Sequence, residues 1–196
     1  DNQANIWFNQ NRFGLSILDT QTNSVKLFHE YPEIKHLKAL NFINCVSGFR
    51  SLPNEIWIAL SQTAQIYSLS KTNDKVSINR IIDLKQIAPD IITNDVVIQF
   101  FEDRRNNIWM ITDNDNIFVR HYHTDSIVPI DISLQNITDI TEDVKGNIWL
   151  STSSEGVYCI SLVNNKMNDL NITHFDSQNS NMVSNHIETI CAGLNG

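Results

Sequence analysis

The sequence predicts an all-β protein assembled from repeated antiparallel sheets, and three observations lead there. First, the four tryptophans sit in near-identical settings: Asn5-Ile6-Trp7, Glu55-Ile56-Trp57, Asn107-Ile108-Trp109 and Asn147-Ile148-Trp149. Their spacings of 50, 52 and 40 residues lie within or a little above the periods that mark propellers and solenoids. Second, seven or eight residues after each tryptophan comes a smaller cluster: Gly14-Leu15, Gln65-Ile66-Tyr67, Asn116-Ile117-Phe118 and Gly156-Val157-Tyr158. Third, β-branched and aromatic residues fill the short runs while Asn, Asp, Ser and Gly fill the gaps, and no long run has the 3.6-residue period of a helix. Four strands per repeat without helices is the pattern of β-propeller blades, about four of them.

The elements follow in order from this frame. The fullest copy of the repeat is Asp143-Val144-Lys145-Gly146-Asn147-Ile148-Trp149-Leu150-Ser151-Thr152. Asp103 to Thr112 and Asp1 to Trp7 match it in phase, with Asn106 where Gly146 stands. The copy around Trp57 is degenerate, with Ser51 at the Asp position and Asn54 at the Gly position. In the last repeat the strands are expected at Ile137–Glu142, Ile148–Thr152, Val157–Leu162 and Leu170–Phe175. Gly, Asn or Asp supplies the left-handed conformations that the intervening tight turns need. One short helical stretch is expected at 33–40, after Pro32. A large residue recurring at one place in each repeat is expected to pack between neighbouring blades and fill the widening wedge.

Composition excludes some functions. A net charge of -8 without a basic cluster argues against nucleic acid, whose affinity rests on neutralised phosphates. Arg104-Arg105 reads as an exposed turn. No apolar run approaches the ~20 residues needed to span a bilayer. Cys45, Cys159 and Cys191 have no close spacing and read as small buried hydrophobes. His121 and His123 would share one face of a strand, but no further zinc ligand has diagnostic spacing. Asp113-Asn114-Asp115-Asn116 resembles the opening of a calcium loop, yet Thr124 stands where the closing glutamate belongs, at a place where a hairpin turn is needed. No metal and no cofactor are expected.

The fullest copy, followed by Gly156-Val157-Tyr158 and the run Ser180 to Ile190, resembles the two-component regulator propeller repeat. The resemblance extends over the repeats centred on Trp7, Trp57, Trp109 and Trp149, so residues 1–196 would form one partial domain. The second copy departs from the pattern at Leu60, Ser61 and Gln65. The resemblance implies the periplasmic, ligand-sensing propeller of a hybrid two-component histidine kinase of the Bacteroides type, anchored in the inner membrane. Such a sensor detects an oligosaccharide, signals across the membrane to control transcription, and forms homodimers. The fragment itself would perform no chemistry, although the parent would be a kinase. The alternatives are a propeller enzyme similar to streptogramin lyases, or a scaffold without a small ligand.

The phase of the two ends is similar, since Asp1 precedes Trp7 by six residues and Gly196 matches Gly146. A few blades of a larger propeller, or a four-bladed ring, are both compatible with that. Exposed terminal faces would favour self-association. Binding residues are expected where the copies differ, on one rim of the propeller, in segments 9–12, 32–41, 88–95 and 177–186. Among them Arg12, Asn94, Asn185 and His186 are the polar candidates.

Overall fold

A computed structural model describes residues 1, 3–162 and 169–193. The chain forms four consecutive antiparallel meanders, each with its strands in sequence order. The first holds β1 (Asn5–Gln10), β2 (Gly14–Asp19) and β3 (Ser24–Leu27). The second holds β4 (Ile43–Phe49), β5 (Leu52–Leu60), β6 (Gln65–Thr72) and β7 (Lys75–Asp83). The third holds β8 (Val97–Glu102), β9 (Ile108–Thr112), β10 (Ile117–Arg120) and β11 (Ile127–Ile130). The fourth holds β12 (Ile137–Glu142), β13 (Ile148–Thr152), β14 (Val157–Leu162) and β15 (Leu170–Phe175), at the bounds the sequence predicts. The fold is thus all-β, made of propeller blades, although the first blade shows three strands among the described residues. The expected helix at 33–40 is instead a series of turns ending in a 3-10 helix at Lys38–Asn41, and a single helical turn, Leu84–Ile87, appears where none is expected.

Each tryptophan strand is organised by one carboxylate. Asp103 accepts hydrogen bonds from the Arg105 amide (2.9 Å), the Asn107 amide (2.9 Å), Asn107 Nδ2 (2.9 Å) and Trp109 Nε1 (3.0 Å). Asp143 gathers the same four donors from Lys145, Asn147 and Trp149 at 2.8–3.0 Å. Asp1 does so with Gln3, Asn5 and Trp7 at 2.7–3.0 Å. Closing this loop requires a left-handed residue just before the Asn, and Ala4 (φ 60°), Asn106 (φ 63°) and Gly146 (φ 80°) all adopt it. Burial alone would push the Asp143 carboxyl up, but the donations from Trp149, Asn147 and Lys145 outweigh it and hold its pKa down at about 2. In the degenerate second copy Glu55 takes over, accepting from Trp57 Nε1 (3.3 Å) and Ser68 Oγ (2.6 Å).

The oriented indoles build the core between blades. Trp7 packs with Leu15 and Ile17 against Ile58, Tyr67 and Leu69 of the second blade. Trp57 meets Ile108, Met110 and Phe118 of the third, and Trp109 meets Ile140, Leu150 and Ile160 of the fourth. These three tryptophans are 9%, 0% and 1% exposed. Trp149 departs from the expectation of full burial. It is half-buried, on the far face of the fourth blade, and stacks on Phe175 at 5.6 Å.

The inner strands β4, β8 and β12 each carry a bulge at the same place, opposite the end of the tryptophan strand. A bulge bends a strand and re-aims a side chain. From two of these bulges Asn44 donates to Val97 O (3.2 Å) and Thr138 to Ile187 O (2.7 Å), so β4 and β12 are each tied to the chain that follows them. At the other end of these strands Glu102 accepts the Arg50 and Ser51 amides at 2.7 and 2.8 Å, and Glu142 accepts the Arg104 amide at 2.7 Å. Arg104 and Arg105 therefore stand in a turn that is bound to the next blade.

Two expectations change. His121 and His123 do not share a strand face, because β10 ends at Arg120 and the chain turns back between His121 and Ser126, whose carbonyl accepts the His121 amide at 2.8 Å. Cys45 and Cys159 are half-buried and buried, and burial pushes the Cys45 thiol up to about 12, but Cys191 is exposed.

The carboxylate loop yields a stability prediction. Asp103 is 1% exposed, so Asp103→Ala would leave four donors without their acceptor and should cost about 2–4 kcal/mol. Urea unfolding of the two proteins measures this, and a loss below about 1 kcal/mol would contradict the role given to the carboxylate.

Candidate ligand-facing rim

The loops that join each tryptophan strand to the next strand, and those that lead into each inner strand, share one rim of the blades. Gly14 shows how closely they meet. A Cβ there would lie 2.2 Å from Leu40 O, and its φ of +74° disfavours any other residue. Gly156 is bound in the same way, with a hypothetical Cβ 2.3 Å from Phe175 O at a φ of +92°.

Most charged groups of this rim hold the loops in place. Asp95, nearly fully buried, accepts from Thr112 Oγ1 (3.1 Å), Asn114 Nδ2 (3.0 Å), Asn116 Nδ2 (2.6 Å) and the Thr93 amide (3.4 Å). Burial alone would raise the Asp95 pKa, but these hydrogen bonds keep it below the usual carboxylate range. Asp113 accepts the Val96 amide (2.9 Å), and Asp115 accepts the amides of Asn136 (2.6 Å) and Ile137 (2.7 Å). The acidic run at 113–116 thus caps backbone amides of neighbouring segments and does not converge on one point as a calcium loop does.

The four sequence candidates all lie on this rim, but only two come together. Asn185 accepts the Ser177 amide at its side chain (2.8 Å) and the Gly156 amide at its carbonyl (2.9 Å). Beside it, His186 contacts Ser153 O through Nδ1 (2.7 Å) and Glu188 Oε1 through Nε2 (2.6 Å). Both residues are therefore engaged in holding the fourth blade's turn. Arg12 (φ 72°) lies in the exposed turn between β1 and β2, and Asn94 lies exposed ahead of β8. Neither side chain makes a hydrogen bond among the described residues, so both stay available to a ligand.

Two further residues belong with Arg12. Phe13 is 57% exposed and Phe42 is 49% exposed. Each lies next to the close contact of Gly14 with Leu40 and Asn41, so they share one part of the rim with Arg12. The Phe42 carbonyl accepts the Ser61 amide at 2.9 Å, which fixes this segment to the second blade's turn. Aromatics in a turn that otherwise favours Asn and Gly are the signal that would have found Phe13.

Residues 131–154 match the two component regulator propeller family, so the chain carries such a repeat. No curated protein matches the sequence. Among solved structures, an extracellular domain assigned to a one component system of B. thetaiotaomicron is similar, with a TM-score of 0.65 and 18% identity over 95% of this chain. An extracellular domain assigned to a hybrid two component system of the same organism gives 0.59 and 16% over 89%. The chain spans 23% of the length of each of these domains. Virginiamycin B lyase from Staphylococcus aureus gives 0.59 and 15% over 89% of this chain and 53% of its own. At these identities the likeness establishes the fold.

A pH titration tests the fourth blade's rim. The hydrogen bond to Glu188, then the Ser153 carbonyl, raise the His186 pKa above its ordinary 6.5. The folded-state pKa is the higher one, so this contact's contribution is complete below the unfolded pKa and disappears as pH rises through the folded one. NMR titration of the imidazole should give a midpoint above 6.5, lowered by Glu188→Gln. A midpoint at or below that value would contradict the arrangement.

Proposed function

We propose that this chain is part of the ligand-sensing propeller of a hybrid two-component sensor kinase, and that an oligosaccharide binds at the rim carrying Arg12, Phe13 and Phe42. The observation that carries this reading is that two exposed phenylalanines, and an arginine that has no partner among the described residues, flank the close contact of Gly14 with Leu40 and Asn41. Exposed aromatics at one place on a soluble protein mark a contact surface. The C–H face of a pyranose packs on such rings, and a guanidinium donates to ring hydroxyls or a carboxylate in a fixed fork.

The repeat matched at residues 131–154 supports the sensor context. The small share of the similar extracellular domains that the chain spans supports a larger propeller, periplasmic and anchored through the rest of an inner-membrane protein that dimerises. Ligand binding would act by favouring one packing of the periplasmic domains over another, since a ligand shifts an equilibrium only by its differential affinity. The chain itself performs no chemistry in this reading. Its rim carboxylates and His186 are occupied in holding loops, which disfavours the lyase-like alternative, a mechanism that needs an available general base.

Calorimetric titration with a panel of oligosaccharides tests this. At least one should bind saturably, and Phe42→Ala should weaken it by about tenfold, a loss of ~1.4 kcal/mol. In the full-length sensor the same substitution should blunt ligand-dependent reporter transcription. Absence of any oligosaccharide binding, or equal binding by the variant, would remove the basis of the proposal.

A further inference from the structure

A recess lies on the opposite rim, away from Arg12, Phe13 and Phe42. It is a cleft of about 200 Å³ between the β2–β3 hairpin of the first blade and the β6–β7 hairpin of the second. Asp19, Thr22, Lys26, Tyr31, Lys71 and Asp74 are among its lining residues. Pockets for drug-sized ligands occupy roughly 300–1,000 Å³, so an occupant of this cleft is a small molecule.

Its donors outnumber its available acceptors. One Asp19 oxygen is occupied by the amides of Gln21 (2.9 Å) and Thr22 (3.1 Å), which close the hairpin turn. Lys71 donates no hydrogen bond among the described residues, and neither does the Tyr31 hydroxyl. Burial, with Asp74, Glu30 and Asp19 nearby, raises the Tyr31 pKa to about 12, so this hydroxyl keeps its proton at physiological pH and can donate it to a ligand. The Tyr31 ring forms a wall, with Lys26 Nζ 5.9 Å from its centroid. That ammonium holds Asp74 Oδ1 at 3.2 Å. Asp74 sits at a hairpin tip beside the left-handed Asn73 (φ 53°), and its side chain is 87% exposed. An ion pair this exposed contributes little and is easily exchanged for a better partner.

We propose that this cleft binds the carboxylate group of a small acidic molecule, with Lys26, Lys71 and the Tyr31 hydroxyl as donors and Asp74 as the internal stand-in that the ligand displaces. The occupant of the Lys26 ammonium in the free protein is itself a carboxylate, which sets the chemistry. Asp19 and Asp74 lie in the same cleft of a chain with a net charge of -8, so a dianion such as phosphate meets more repulsion than a monoanion. A sugar acid satisfies both the charge and the size, with its hydroxyls meeting the second oxygen of Asp19 and the Thr22 and Ser24 hydroxyls, which contact each other at 2.8 Å.

The test is titration of the chain at matched ionic strength with three probes: glucuronate, glucose and inorganic phosphate, followed by amide NMR shifts. Glucuronate should bind saturably through residues of this cleft, more tightly than phosphate, and glucose should not bind there. The double variant Lys26→Ala, Lys71→Ala should lose at least about tenfold in glucuronate affinity, while Asp74→Asn should gain about threefold by releasing Lys26. An unchanged melting temperature checks that these surface variants stay folded. Phe42→Ala should leave this binding unaltered, which separates the cleft from the opposite rim. Glucuronate binding no tighter than glucose, phosphate binding tighter than glucuronate, or undiminished binding by the double variant would each overturn the proposal.

Discussion

The fold depends on a buried or half-buried carboxylate that gathers an indole N–H, an asparagine side chain and two backbone amides within six residues of itself. Hydrogen bonds to a charged group are worth about 1.5–3 kcal/mol each in net stability, enough together to hold an Ala or Asn in the left-handed region at the turn. Once the turn is set, the tryptophan two residues after the Asn has one orientation available, and its ring faces the following blade. The same interaction therefore fixes a local turn and aims the largest core residue. It recurs in the first, third and fourth copies, with Glu55 standing in for it in the second, and the core grows as a series of nearest-neighbour interfaces.

Between blades the polar links are as regular as the apolar ones. Glu102 and Glu142 occupy matching positions at the ends of inner strands and cap turns of the preceding blade. Gln99 reaches Asp139 at 3.0 Å across the inner face. Glu142 differs from the acids of the tryptophan loops. Burial raises its pKa, and the amide of Arg104 only partly offsets that. The cap works through its hydrogen bond, at some cost in desolvation. One interface adds an ionic network. Arg120 stands where β6 has Leu69 and β14 has Ile160. It pairs with Asp125, which also receives Arg80 at 2.9 Å, and Arg80 lies 5.2 Å from the Trp57 ring.

The period and the strands were legible because tryptophan is rare and because strand and turn residues segregate. The run from Asp143 to Thr152 stated its own geometry, down to the glycine at the left-handed position. What could not be read was substitution of role. Glu55 serves Trp57 from the position that holds Asn in the other copies, and its partner Ser68 comes from the next strand. Arg120 looks like a surface residue and is 5% exposed, since only the folded chain brings Asp125 back over it. The candidate site was legible as a rim, because loops that differ between copies are where binding residues lie. Its contents were not. Asn185 and His186 share the character of ligand-binding residues, but hydrogen bonds to Ser177, Glu188 and the sequence-distant Ser153 engage them. The exposed Phe13 and Phe42, which a search for polar residues overlooks, lie beside Arg12.

Hydrogen exchange of the four indole N–H protons, followed by NMR, tests the central role of the carboxylate loop most directly. The Trp109 proton, held by a carboxylate that is 1% exposed, should exchange most slowly. Trp149 should also be protected in spite of its half-exposed ring, because its N–H donates to Asp143 at 3.0 Å. Selective loss of Trp149 protection in Asp143→Asn would agree with this account. Rapid exchange at Trp149 in the unsubstituted chain, with protection following ring burial alone, would contradict it.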